Sequence, residues 1–288
     1  MTVVVVGDTA LDVVARHAGP INHGDDTRAE ITLSAGGAGA NTAAWLAHRG
    51  SDVTLMARIG DDSAGTHVRS ALEAAGVRCV FTVDPDASTG CVVVLVDETG
   101  QRSMLPDRGA NARLRGSDVD FAVLAGARHL HLSGYVLLDA SSRQAGIDAL
   151  AAARSAGLTT SVDPQAAAMI DDPAGFLDWV RGVDLLLPNS DELRVLTGAA
   201  RAQDLLTVVG AVAVTDGARG AFWISPDGVE SVAAVPVRCV DSTGAGDAFD
   251  AGLLTAWLAG ASPRESLLAG VAAGGEAVRQ VGAQPSIT

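Results

Sequence analysis

The sequence contains no lysine; all 20 of its basic residues are arginine. That absence excludes every chemistry that depends on a lysine amine. The P-loop pattern GxxxxGK[ST], the strand lysine of protein kinases, Schiff-base and pyridoxal-phosphate catalysis, and SxxK acylation are all ruled out. Any phosphate must instead be met by arginines, backbone N–H groups or helix ends. Cysteine is scarce too. Cys79, Cys91 and Cys239 are an odd number without metal-type spacing, which points to reduced thiols and a cytoplasmic setting. Long apolar runs are missing: Val3–Val6 and Cys91–Val96 span four and six residues, whereas a membrane span needs roughly 20. The opening Met1-Thr2-Val3-Val4 lacks the basic stretch of a signal peptide. Positive charge is in deficit, 20 basic against 34 acidic side chains, and the resulting −14 would repel a nucleic-acid backbone. The histidines show no HxxH or HExxH spacing, so no transition-metal site is expected.

What is present is enough for a full core: 288 residues, 48% of them hydrophobic. Short β-branched runs alternate with Ala-rich helical stretches. Strands are expected at Val3–Gly7, Asp52–Ala57, His129–Leu132, Thr159–Asp163, Asp184–Leu187 and Val208–Thr215. Helices are expected at Ala40–Arg49, Ser63–Ala75, Ser141–Ala156, Pro173–Arg181, Ser190–Thr197 and Ala251–Ala259. This βαβ rhythm predicts an α/β fold with a mostly parallel sheet covered on both faces. Val13–Ser34 and Thr89–Asn111 break the rhythm. The second holds Cys91–Val96 followed by Glu98-Thr99-Gly100-Gln101 as a hairpin turn, and both read as strands of a small lid outside the main sheet. No linker or repeat divides the chain, so one domain over 1–288 is expected.

The most informative stretch is Val240-Asp241-Ser242-Thr243-Gly244-Ala245-Gly246-Asp247-Ala248-Phe249, just ahead of a helix. Glycines at 244 and 246 let successive N–H groups converge where that helix begins, making an anion-binding concavity backed by the helix dipole. Asp247 falls in the first turn. A carboxylate there can be a simple dipole or capping residue; beside a phosphate nest it can also take a proton from an attacking hydroxyl.

Asp241–Asp247 closely resembles the DTxGAGD element of the ribokinase-like (PfkB) carbohydrate kinases. Four further segments match in family order. They are Gly36-Gly37-Ala38-Gly39-Ala40-Asn41 (GGxxxN), Asn189-Ser190-Asp191-Glu192 (NxxE), Thr215-Asp216-Gly217-Ala218-Arg219-Gly220 (TxGxxG) and Gly282-Ala283-Gln284-Pro285-Ser286. The resemblance implies a three-layer ribokinase-like sandwich with a β lid, and an ATP- and Mg²⁺-dependent transfer of phosphoryl to a hydroxyl. It implies Asp247 as catalytic base and Gly244, Ala245 and Gly246 as the N–H nest. Asn189, Thr215, Gly217 and Gly220 would meet ATP, with Glu192 acting on Mg²⁺ through water. Without the family, Asn189 and Glu192 read as a helix cap.

At the substrate end the resemblance implies contacts from Asp12, Gly37 and Asn41. Gly37-x-Gly39-x-x-Thr42 could also be read as a dinucleotide fingerprint, but its third glycine is missing. Ala38 stands where ribokinases and phosphofructokinase-type members carry lysine, which argues for an unphosphorylated substrate unless Arg102 or Arg108 substitutes. The closing segment implies a K⁺ cage from Asp241, Thr243, Ala277, Gln280, Gly282 and Ser286; otherwise Gly282 and Pro285 form only a closing loop. The leading expectation is a kinase for a free ribose-like or hexose sugar. A nucleoside kinase of the same fold and a non-catalytic ligand-binding protein are the alternatives. A homodimer through the lid is expected, as in many relatives.

Overall fold

A computed structural model describes residues 2–98 and 101–286. Thirteen strands lie among the described residues. They are β1 (Thr2–Val6), β2 (Ala10–His17), β3 (Ala29–Gly36), β4 (Asp52–Gly60), β5 (Val77–Asp84), β6 (Gly90–Val96), β7 (Arg102–Asp107), β8 (His129–Ser133), β9 (Thr159–Asp163), β10 (Leu185–Leu186), β11 (Ala211–Thr215), β12 (Ala221–Ser225) and β13 (Gly228–Val232). The helices are α1 (Ala38–His48), α2 (Ser63–Ala74), α3 (Phe121–Ala125), α4 (Tyr135–Leu138), α5 (Arg143–Ser155), α6 (Pro173–Trp179), α7 (Ser190–Thr197), α8 (Ala245–Leu258) and α9 (Pro263–Ala277).

The strands form a nine-stranded sheet, β13-β12-β11-β10-β9-β8-β1-β4-β5, and a four-stranded sheet, β3-β2-β6-β7. The large sheet is parallel from β5 to β11 and ends in the antiparallel pair β12 and β13. Alternation along β1 shows why it is covered on both faces. Val3 and Val5 pack with Trp45, Leu253 and Leu267 of α1, α8 and α9, while Val4 and Val6 pack with Leu150, Phe176 and Leu196 of α5, α6 and α7. All four valines are fully buried, each contributing roughly 1.5–3 kcal/mol. The result is the expected α/β sandwich, a mostly parallel sheet with helices on both faces.

The expected lid segments contribute β2, β3, β6 and β7. Pairing is antiparallel within β2–β3 and β6–β7, and parallel between β2 and β6. Thr99 and Gly100 of the expected hairpin turn lie outside the described residues, but Asp97 N–H donates to the Gln101 carbonyl across it.

Several boundaries differ from expectation, and three of them bear on the site or its neighbours. The strand expected from Val208 begins at Ala211, because 202–207 coil into a 3₁₀ turn and the Val208 and Val209 N–H groups bond back to Leu205. The helix expected from Ala251 begins at Ala245: Gly244, at φ 72°, is its N-cap, so the glycine-rich run is already helix. The helix expected from Ala40 likewise begins at Ala38, after Gly37 at φ 93°. In addition, β5, β12, β13, α3, α4 and α9 have no counterpart among the expected elements.

Connectivity places the site. From β1 the chain builds the sheet first towards β4 and β5, then returns to β1's other side with β8, β9, β10 and β11. The crevice at such a reversal, beyond the carboxyl ends of parallel strands, is where open α/β sheets take ligands. Asp8, Ser133, Asp163, Asn189 and Thr215 all lie at or just past those ends.

Candidate active site

A cleft of about 200 Å³ opens at this edge. Asp163 ends β9 and Gln165 follows it, Asn189 and Glu192 open α7, Thr215 ends β11, and Ser242, Gly244–Asp247 and Asp250 come from the entry loop and first turns of α8. Gly244 is held against the closing segment: a Cβ there would meet the Ala283 carbonyl oxygen at 2.4 Å, so only glycine fits. Gly246 faces open space, leaving room for an anion over the first turn of α8.

Asp247 is buried. Burial raises its carboxyl to about 7, and the Asp8 charge adds to this; the hydrogen bond from Asn41 and the Gln165 amide nearby pull the other way. The Asn41 amide donates to Asp247 Oδ2 at 3.0 Å and accepts from Gln284 at 3.3 Å. Asn41 therefore orients Asp247 in addition to any substrate contact. The Gln165 amide also donates to Asp163 Oδ2 at 2.8 Å. Gln165 is the one non-glycine residue with positive φ among the described residues, at 76°. That costs of order 1–3 kcal/mol, the kind of strain found where a side chain must be aimed.

Asp163, Glu192 and Asp250 complete a buried carboxylate wall. Burial raises all three, Glu192 to about 7, with Asp163 and Asp250 sharing a hydrogen bond. Asp250 Oδ2 is buried without a partner among the described residues. Asn189 is a helix cap, as its bland reading predicts. Its side chain accepts from the Asp191 and Glu192 N–H groups, and its backbone and amide nitrogens donate to Glu192. It also lines the cleft.

At the substrate end, Asp8 is the residue sequence reasoning missed. Its carboxylate accepts from the Ala38 and Gly39 N–H groups at 3.0 and 3.2 Å and from the Ser133 hydroxyl at 2.9 Å. An acid fills the N-terminus of α1, where the dipole favours one. Asp12 projects towards Gly36, where a Cβ would lie 2.3 Å from its carboxylate. It makes no hydrogen bond to another described residue, and burial followed by the Asp8 charge raises it to about 7. Gly37 allows the chain to pass 2.7 Å from where its Cβ would strike Thr9. Tyr135 neighbours the same carboxylates, its hydroxyl pushed up to about 12 by burial and by Asp8, Asp247 and Asp163.

Not every expected residue reaches the cleft. Gly217 and Gly220 sit beyond Thr215 in the β11–β12 turn, outside its lining. The closing segment does return to the loop at 241–243: Asp241 Oδ2 accepts from Gly282 N–H at 3.0 Å, and Asp241 Oδ1 from the Thr243 N–H and hydroxyl. Gln280 N–H bonds to the Ala277 carbonyl, and Ser286 Oγ donates to Gln280 at 2.7 Å. Asp163, Gln165 and Asp250 carried no spacing signal that the sequence reading used.

The whole of residues 1–288 matches the model of the pfkB family carbohydrate kinases. The chain belongs to that family. It is 34% identical over 233 residues to an ATP-dependent ribose-1-phosphate kinase from Halopiger xanaduensis, covering 78% of this chain and 74% of that one. Its fold is similar to an adenosine kinase from Sinorhizobium meliloti, with a TM-score of 0.89, 25% identity, and 99% and 96% of the two chains covered. It is also similar to an Arabidopsis thaliana ribokinase complexed with ribose and ATP, with a TM-score of 0.81, 26% identity, and coverage of 98% and 93%. The pfkB chain described here is a small-molecule kinase of the sugar and nucleoside class, a phosphotransferase with an alcohol acceptor.

Proposed function

We propose that this pfkB kinase moves the γ-phosphoryl of ATP to a hydroxyl of an unphosphorylated sugar, with Asp247 as the base. The observation that carries the reading is Asp247 itself: buried, raised to about 7, oriented by Asn41, and one helical turn from a glycine-lined anion nest. In the reaction Asp247 takes the proton of the substrate hydroxyl as its oxygen bonds to the γ-phosphorus. The bond from that phosphorus to the bridging oxygen breaks, and ADP leaves. The N–H groups of Gly244, Ala245 and Gly246 hold the charge on the transferred group, so no lysine is needed. Asn189 and Thr215 line the nucleotide side, with Gly217 and Gly220 shaping the turn behind them.

Mg²⁺ would be met here through water. Glu192, Asp163 and Asp250 line the cleft with oxygen only, the Asp250 Oδ2 is unpartnered, and among the described residues no three acids gather into a direct metal cage. Bound there, Mg²⁺ would neutralise phosphate charge. Asp241, Thr243, Ala277, Gln280, Gly282 and Ser286 do converge, which favours a shared role. The Asp241 carboxylate, however, is already held by Arg102, so these residues do not fit a K⁺ bound at that carboxylate.

Ala38, Asp8, Arg102 and Asp12 favour an unphosphorylated acceptor. Ala38 supplies no cation, and the anion seat at the start of α1 is filled by Asp8. Of the two arginines that could replace the missing lysine, Arg102 is engaged with Asp241 and Ser242, whereas Arg108 meets the Tyr135 carbonyl and Asp139 but leaves its buried Nη2 without a partner among the described residues. Asp12 remains unpaired to receive a sugar hydroxyl. A homodimer through the small sheet is supported by its apolar outer face, and a cytoplasmic setting by the free cysteines.

The test is ADP release with ATP and Mg²⁺ across free pentoses and hexoses, nucleosides, ribose 1-phosphate and fructose phosphates. Free sugars are expected at kcat/KM at least ~10-fold above the sugar phosphates, about 1.4 kcal/mol in transition-state binding. Preference for ribose 1-phosphate would overturn the acceptor assignment, and preference for a nucleoside would move it to the second substrate class.

A further inference from the structure

Arg102 enters the site from outside the large sheet. It opens β7, and its guanidinium donates from Nη1 to Asp241 Oδ1 and from Nη2 to Ser242 Oγ. The side chains of Arg102 and Asp241 are only 20% and 10% exposed, so solvent and salt screen the pair weakly. Asp241 is the hub of its loop. The same carboxylate accepts from Thr243 N–H, Thr243 Oγ1 and Gly282 N–H, tying the entry to α8 to the closing segment. Burial alone would raise this carboxyl; the Gly282 and Thr243 donors and the Arg102 charge hold it below the usual carboxylate range. Three residues on, Gly244 turns left-handed and the anion nest begins. The direction of the nest's N–H groups thus depends on a carboxylate that a guanidinium holds in place.

The other side chains of this cluster bond one another. Ser286 Oγ donates to Gln280 Oε1 at 2.7 Å, and Gln280 Nε2 donates to the Gln284 carbonyl at 2.9 Å. Asp241 is the only carboxylate among the six residues that converge here, and its charge is matched within the chain.

We propose that Arg102 is a positioning residue for phosphoryl transfer, a resident cation carried on the small sheet that fixes Asp241 and Ser242 and takes the place of a monovalent metal ion. Its kinetic consequences rest on the kinase reading above; its consequences for ion binding do not. Because Arg102 acts through the loop, its loss falls on kcat more than on the KM for the acceptor.

The experiment compares wild type, Arg102→Ala and Arg102→Lys in Na⁺, K⁺ and choline at constant ionic strength. Turnover and thermal midpoint are both read, and millimolar guanidinium is added as a chemical rescue. Wild-type turnover is expected to agree within about twofold across the three salts, with no midpoint gain specific to K⁺. Arg102→Ala should lose about tenfold in kcat in choline, recover at least about threefold with K⁺ or guanidinium, and gain thermal stability in K⁺ alone. Arg102→Lys, which keeps the charge but not the two-pronged geometry, should fall between the two in choline. Activation of the wild type several-fold by K⁺ over Na⁺ would overturn the proposal, as would an Arg102→Ala protein with wild-type turnover and a flat ion response. If no substrate is turned over, the kinase reading fails, while the K⁺-against-choline midpoints of wild type and Arg102→Ala still decide the role of Arg102.

Discussion

At the scale of single residues, the site depends on carboxylates that water would keep ionised and that burial does not. Asp247, Asp12 and Glu192 are all raised to about 7. A base must be deprotonated to act, so kcat/KM is expected to rise with pH and level off above about 7. The Gln165 amide, a donor beside Asp247 in the cleft, favours its ionised form. Gln165→Gly removes that donor and also relieves the positive φ, which separates the electrostatic effect from backbone strain. The midpoint of the pH–rate profile should then move upward by about half a pH unit or more, without loss of thermal stability. An unmoved midpoint would detach Gln165 from the tuning of Asp247. The motif at 241–247 made Asp247 legible, because glycines before a helix have few other uses. Asp8, Asp163 and Gln165 were not legible. Each is a single polar residue at or just past a strand's end, and only the sheet's strand order brings the three together.

Among the elements, the strongly periodic segments were readable and the two-purpose ones were not. β5 carries Arg78 and Thr82 between its apolar residues, as an edge strand can. α9 is diluted by Gly270, Gly274 and Gly275, which blunt helical pattern. In the structure Gly270 is a packing residue, since a Cβ there would lie 2.8 Å from the Phe249 ring of α8. Its start was marked nonetheless by the Ser262–Glu265 capping box. The small sheet was legible as strands, and its outer face became visible only with the register. Leu33, Val13, Val93 and Leu105 form one row across it, and Ile31, Ala15 and Leu95 the next. Ile31, Leu33 and Leu105 are 63, 56 and 60% exposed. So continuous an apolar face is what a second copy would cover. Sedimentation at micromolar protein is expected to give a dimer, and Leu33→Glu with Leu105→Glu a monomer. A wild type that sediments as a monomer throughout would remove the shared face.

At the scale of the whole molecule, fold and chemistry meet at the reversal of strand order. The large sheet delivers carboxylates to one edge, α8 presents N–H groups to them, and the small sheet reaches in with Arg102. In the proposed reaction a chain without lysine would meet phosphate through backbone N–H groups, with the buried acids reached through Mg²⁺. The buried acid has a thermodynamic signature that keeps the kinetic test clean. A carboxyl raised above its unfolded value costs stability as pH climbs from about 4 to 7, of order 4 kcal/mol at most for Asp247. Asp247→Asn should therefore be at least as stable as wild type, more clearly so at pH 8 than at pH 5. The most direct measurement is single-turnover and steady-state phosphorylation of the best sugar by Asp247→Asn with saturating ATP and Mg²⁺ at pH 8. A folded, ATP-binding protein with kcat lowered by at least ~10²-fold is the predicted result. Turnover near the wild-type rate would contradict the account, because Asp247 would then not be the group that takes the hydroxyl proton.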